Sequence, residues 1–220
     1  MAEQIKDSRH PVIIRVHTEY NLDGSTAGVC YSLGDTDWYR DTWIYIYELF
    51  RSRGVDNAIF MSNEQSHTNV YSEWNWCHSV LSLPPKEYIQ IVGITAYDFG
   101  KDHTVGGPFS WMYTGVEANN MEFFSEWPWM MGEFGCADEN SGINKAEWIK
   151  EMFATVDCFP NIKGAVWFDS ADAYADGSLS NDMRLTAPVN AGITFFECIK
   201  QAKEKSSVGE WKFNRVEEWK

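Results

Sequence analysis

Two carboxylates stand where reactive groups would gather in a chain of alternating strands and helices. Glu19 follows the apolar run 12–16 (VIIRV), and Glu133 follows the run 129–132 (WMMG). In α/β folds the loops converge at the carboxyl ends of the strands, so groups placed there share one cleft. Glu19 has His17, Thr18, Tyr20 and Asn21 around it, while Phe134 and Gly135 follow Glu133; neither has a lysine close by in sequence. Such a pair suits glycoside hydrolysis, in which one carboxylic acid protonates the leaving oxygen and the other attacks the sugar carbon or activates water. Other strand-end groups are Asn63 and Glu64 after 58–61, Tyr97 and Asp98 after 89–96, and Trp167, Phe168 and Asp169 in and after 162–168. Tyrosine and tryptophan at such a cleft offer apolar faces to sugar rings and donors to their hydroxyls.

Positioning these groups requires five short strands. The runs 12–16, 58–61, 89–96 (IQIVGITA), 129–132 and 162–168 (IKGAVWF) are apolar and rich in β-branched or aromatic residues. They read as parallel strands buried on both faces. Between them lie helical periods. Residues 39–53 place Trp43, Ile46, Tyr47 and Phe50 on one face, and Gly54 is the stop. Residues 144–159 open on an Asn cap with Glu147 three positions on and end before Pro160. Residues 191–205 form a third helix, 115–126 carry a further helical pattern, and the start, 2–7, looks like the end of an amphipathic helix. The fold class is therefore α/β with about five strand–helix units, against eight units and about 250 residues in a closed barrel. We expect one domain over 1–205 and a polar tail over 206–220.

Composition removes other classes. The formal charge is −14, from 18 Lys and Arg against 32 Asp and Glu. That balance argues against a nucleic-acid partner and against docking on an anionic membrane. Trp 11, Tyr 10 and Phe 13 make 15% of the chain, a load that calls for a packed core. The five cysteines (30, 77, 136, 158, 198) are scattered and read as free thiols. The five histidines lack metal-ligand spacing, and no phosphate-cradling or nucleophile-elbow motif is present, so neither metal nor cofactor is expected. The amino terminus lacks the basic start and apolar run of a signal peptide, and the cellular location is left open.

The residues also resemble a known family. The segment 11–21 (PVIIRVHTEYN) is similar to the acid/base strand of glycoside hydrolase family 26, which comprises β-mannanases and some β-glucanases and xylanases on a (β/α)8 barrel. Residues 39–43 (YRDTW), 92–98 (VGITAYD), 128–135 (PWMMGEFG) and 161–169 (NIKGAVWFD) resemble four further motifs of that family, in the same order. The likeness runs from about residue 5 to residue 200. The family's first three strands have no counterpart, Thr18 replaces the usual His before the acid/base, and Leu22, Asp23 and Gly24 stand where a Trp is usual.

The resemblance implies a partial barrel made of strands four to eight. It implies Glu19 as general acid/base and Glu133 as nucleophile of a retaining endo-β-glycosidase acting on a β-mannan or β-glucan. It places Tyr97 beside the nucleophile and Trp167 under the reacting sugar, with His17 and Asn21 as further substrate contacts. Glu64, preceded by Asn63, competes as acid/base. It ranks lower because the two carboxylates belong on the fourth and seventh strands, and only one strand separates Glu64 from Glu133. The rival readings are a non-catalytic carbohydrate-binding protein and an inactive fragment on the same scaffold. The expected partner is a polysaccharide or oligosaccharide. Open barrel edges would also favour self-association, with Ile13, Ile94, Met130 and Val166 losing part of their cover.

Overall fold

The structure is a computed structural model that describes residues 1–18, 36–65, 84–99, 127–137, 142–156, 158–159, 161–173, 177 and 179–205. Glu19, Asn21, the helical pattern at 115–126 and the tail 206–220 lie outside the described residues.

Among the described residues five parallel strands stand side by side in chain order. β1 (Val12–Arg15) pairs with β2 (Ala58–Met61), with Val12 opposite Ala58 and Arg15 opposite Met61. β2 runs on through Ser62 and Asn63 into the short β3 (Glu64–Gln65). Met61 bridges Ile91, and the Ser62 amide donates to the Ile91 carbonyl at 3.1 Å, so β2 and β3 together line β4 (Val92–Asp98). β4 pairs with β5 (Trp129–Cys136), and β5 with β6 (Ile162–Trp167). Among the described residues β1 and β6 are the outer strands.

Among the described residues four α-helices accompany the sheet: α1 (Ala2–Ser8), α2 (Thr36–Ser52), α3 (Lys145–Val156) and α4 (Val189–Lys205). The expected stop of α2 holds, whereas α3 ends at Val156, short of the expected residue 159. Gly54 has φ 68°, its amide donates to the Arg51 carbonyl at 2.9 Å, and the Val55 amide donates to the Phe50 carbonyl at 3.1 Å, a Schellman closure of α2. At the start of α3 the Asn144 side-chain oxygen accepts the Glu147 amide at 3.2 Å. α2 begins three residues earlier than its apolar period, because Thr36, Asp37 and Trp38 form its first turn.

The core lies between sheet and helices. Trp43, Tyr47 and Phe50 of α2 surround Phe60 of β2, with ring centroids 5.0–6.1 Å apart, and the Trp43 indole donates to the Tyr88 carbonyl at 2.8 Å. Across the sheet, Phe134 and Trp167 meet Phe195 of α4, and Trp167 meets Trp148 of α3. Asp98, a strand-end carboxylate, accepts the Trp148 indole N–H at 3.0 Å and so fastens α3 to the sheet.

Three features depart from the sequence expectation. A hairpin of β7 (Ala171–Ala173) and β8 (Leu179–Asp182) follows β6. Lys145 is fully buried, its ammonium donating to the carbonyls of Asp182, Arg184 and Ala187 at 2.6–3.0 Å. Three backbone dipoles replace the water a lysine normally keeps, and they fix the chain between the hairpin and α4. Finally, of the residues expected to lose cover, Ile13 and Val166 are 39% and 48% exposed, but Ile94 is buried. Ile94 belongs to the core against the helices, so an open sheet face does not uncover it.

Candidate active site

Glu133 owes its direction to an irregularity in β5. Met131 is opposite Ile94 and Glu133 is opposite Thr95, so Gly132 has no partner across the β4–β5 ladder. Strict alternation would send Glu133 to the same face as Met131, which is buried in the core. The extra residue turns Glu133 to the other face, where it meets Arg15 and Tyr97. Only glycine fits at the bulge, since a Cβ on Gly132 would run into the Asn63 side-chain oxygen.

Both carboxylate oxygens of Glu133 are held. Arg15, at the end of β1, donates through Nη1 to Oε1 at 2.7 Å; the Tyr97 hydroxyl, near the end of β4, donates to Oε2 at 2.8 Å. The same Arg15 nitrogen reaches the Gly132 carbonyl at 3.1 Å and Asn63 Oδ1 at 3.4 Å. Asn63 is fully buried, and its amide donates to Thr95 Oγ1 at 2.8 Å. One polar cluster thus draws on β1, the β2–β3 strand, β4 and β5. It leaves the Glu133 side chain 21% exposed, enough to meet a ligand from the open side.

Chemically, this is a carboxylate whose orientation is fixed by a cation on one oxygen and a phenol on the other. Preorganisation of that kind lets a group act without first rearranging. The Tyr97 ring in turn packs against Phe99 and Phe168, with centroids 5.5 and 5.6 Å away.

The expected site residues fall in different places. Tyr97 and Glu133 are brought together. His17 lies two residues beyond Arg15 with φ 53°, its ring 5.9 Å from that of Trp38 and 6.4 Å from that of Tyr39. Trp167 is not brought to Glu133: its indole packs against Phe134, Trp148 and Phe195 and donates to the Met183 carbonyl at 2.8 Å. The neighbouring Phe168, unlike Trp167, touches Tyr97. Glu64 lies on β3 opposite Ile94. Among the described residues no group of three His, Cys, Asp or Glu side chains is placed to hold a metal, and no helix is long and apolar enough to cross a membrane.

Arg15 is the member that sequence reasoning did not single out, and Asn63 was named only as a strand-end neighbour of Glu64. The signal for Arg15 was present in its place at a strand end opposite a carboxylate strand. Asn63 offered only its neighbour Glu64.

Comparison with known proteins locates the fold. No protein-family model matches the sequence, and neither does any curated protein. Solved structures do match. A family 26 β-mannanase from Bacteroides ovatus aligns over 88% of this chain and 51% of its own, at 15% identity and a TM-score of 0.58. A modular endo-β-1,4-mannanase from Cellulomonas fimi aligns over 90% of this chain and 44% of its own, at 18% identity and a TM-score of 0.57. A family 5 xyloglucan-specific endo-β-1,4-glucanase from a metagenomic library, solved with cellotriose, aligns over 89% of this chain and 61% of its own, at 12% identity and a TM-score of 0.57. The chain spans about half the length of the two mannanases. With its five parallel strands in chain order, it has the fold of a partial (β/α)8 barrel like that of these glycoside hydrolases.

Proposed function

We propose that this chain is the later part of a retaining endo-β-glycosidase of the family 26 kind, acting on a β-mannan or β-glucan. The observation that supports this reading best is Glu133: a carboxylate turned by a bulge to the open face, with one oxygen on Arg15 and the other on Tyr97. In this reading Glu133 attacks the anomeric carbon, and the bond to the leaving oxygen breaks as Glu19 gives that oxygen a proton. Water then displaces Glu133 from the glycosyl–enzyme while Glu19 takes a proton from that water. Tyr97 holds the attacking carboxylate, and His17 and Asn21 contact the substrate. Trp167 serves the reacting sugar from behind, by setting the strand end that carries Phe168.

The test assays mannan, mixed-linkage glucan and xylan with the chain alone and with the chain joined to the first three β/α units of a family 26 mannanase. Glu133→Ala should abolish turnover of every glycoside. Glu19→Ala should slow poor leaving groups most, and azide should partly restore it. Near-parental turnover by Glu133→Ala overturns the reading.

The exposure of Ile13 and Val166 supports a second reading for the 220-residue chain alone. With uncovered apolar groups on its outer strands, and an exposed stripe of Val189, Ile193, Phe196 and Ile199 on α4, it pairs with a second copy and turns over little or no substrate. Light scattering checks this: the parent runs larger than 25.3 kDa, and Phe196→Glu shifts it towards that mass. A monomeric parent with many turnovers refutes it.

A further inference from the structure

A second aromatic surface lies at the same end of the sheet as Glu133. α2 follows β1 in the chain, and its first turn carries Trp38 and Tyr39 back to the carboxyl end of that strand. The two side chains have opposite fates. Tyr39 is buried, and its hydroxyl donates to the Val16 carbonyl at 3.4 Å, tying the helix start to the strand end. Trp38 is 48% exposed, and its indole leans on the His17 ring at 5.9 Å with the planes 54° apart. His17 itself sits in the left-handed region at φ 53°, a conformation uncommon for a residue with a Cβ. An exposed indole, a histidine in a strained backbone and a tyrosine that anchors both make a built ledge. The flanking positions Asp37, Arg40 and Asp41 are charged, so the surrounding surface is otherwise polar.

We infer that Trp38, with His17 at its edge, is a binding platform for a sugar other than the one being cleaved. The ligand class is a β-1,4-linked hexose chain, whose pyranose rings present apolar C–H faces to an indole and hydroxyls to an imidazole. Its place follows from connectivity. Arg15 reaches inward to Glu133, whereas His17 and Trp38 lie beyond the end of β1. The inference rests on the glycosidase reading for the kind of polymer and for the direction it runs. Glu19 is two residues from His17 and protonates the leaving oxygen in that reading, so the ledge holds the leaving-group side of the chain. Binding energy realised there, away from the reacting carbon, helps to draw a polymer into register.

The experiment measures binding, so that it stands apart from turnover. In the full chain carrying Glu133→Gln, calorimetric titration with mannohexaose and cellohexaose is compared with the corresponding disaccharides. Trp38→Ala should weaken binding of the better hexaose about tenfold, the effect expected of one lost stacking contact, while Trp38→Tyr recovers most of it. 5-Fluorotryptophan labelling adds a readout that needs no folded Ala variant. The Trp38 fluorine resonance, assigned with Trp38→Tyr, should shift when the hexaose is added. The inference is overturned if no hexaose binds, if Trp38→Ala binds as the parent does, or if the Trp38 resonance stays put while hexaose binds. Should hexaose bind through Trp38 while no form cleaves any glycan, the ledge stands and the glycosidase reading falls. Cleavage that depends on Glu133, with binding indifferent to Trp38, gives the opposite result.

Discussion

Removing the Arg15 guanidinium tests the heart of the site without requiring any substrate. Arg15→Met keeps much of the stem and deletes three contacts at once: 2.7 Å to Glu133, 3.1 Å to the Gly132 carbonyl and 3.4 Å to Asn63. The ion pair is partly open to water, with side-chain exposures of 32% and 21%. A fully exposed pair couples by about 0–1 kcal/mol, and a hydrogen bond to a charged group contributes about 1.5–3 kcal/mol. This pair lies between those limits, so we expect Arg15→Met and Glu133→Gln to be coupled by about 1–1.5 kcal/mol. Urea unfolding of the parent, the two single variants and the double variant yields that term directly, because effects common to each substitution cancel. Each single change should lower the midpoint, and the double variant should fall short of the sum. Added salt should shrink the coupling without removing it. Additivity to within about 0.3 kcal/mol would mean that the contact contributes nothing, and the account of how Glu133 is aimed would fail.

Gly132→Ala drives a Cβ into Asn63 Oδ1 and within 2.9 Å of Met61 Cε. It should cost about 1–3 kcal/mol of stability, read as a lowered urea midpoint, and an unchanged midpoint refutes the crowding. Arg184 beside Asp182 holds its carboxyl below the usual carboxylate range, with burial opposing. Stability from that pair is therefore present above the unfolded value of about 3.9 and lost as pH falls through the lower folded value. Thermal melts from pH 6 to pH 2 should fall less steeply for Asp182→Asn than for the parent, and parallel curves refute it. Burial pushes the Cys136 thiol well up, with Lys145 opposing and Asp98 adding to the shift, whereas Cys158 is exposed. Iodoacetamide should label Cys158 in the native protein and Cys136 only after unfolding, as peptide mass spectrometry will show; early labelling of Cys136 refutes its burial.

The elements were legible wherever one local signal decided them. A continuous apolar run bounded by turn residues forms a buried parallel strand, so β1, β2, β4, β5 and β6 could be read directly. Gly54 and Asn144 mark helix ends by chemistry confined to a few residues. The bulge at Gly132 was not legible, because WMMGE carries no mark of which residue lacks a partner on β4. The hairpin of β7 and β8 is short and largely polar, with little apolar alternation to betray it. Lys145 reads as a surface residue at the head of a helix; its burial depends on three carbonyls that the chain brings round only 37 or more residues later. For the candidate site, Glu133 and Tyr97 were named from strand ends and family likeness, and the structure places them in contact. Asn63 was named as a strand-end group, but its tie between Arg15 and Thr95 appears only in three dimensions.

The contact between Arg15 and Glu133 also measures the sheet. β1 and β5 are three strand spacings apart, about 14 Å if the sheet were laid flat. A guanidinium on the first strand meets a carboxylate on the fourth, at 2.7 Å, because both side chains are long and lie on the same face of the sheet. Asn63 stands on the first of the two intervening strands and receives the same guanidinium. The ion pair is thus a tie laid across three strand spacings. A strand shift anywhere between β1 and β5 is felt at the carboxylate as a change in aim.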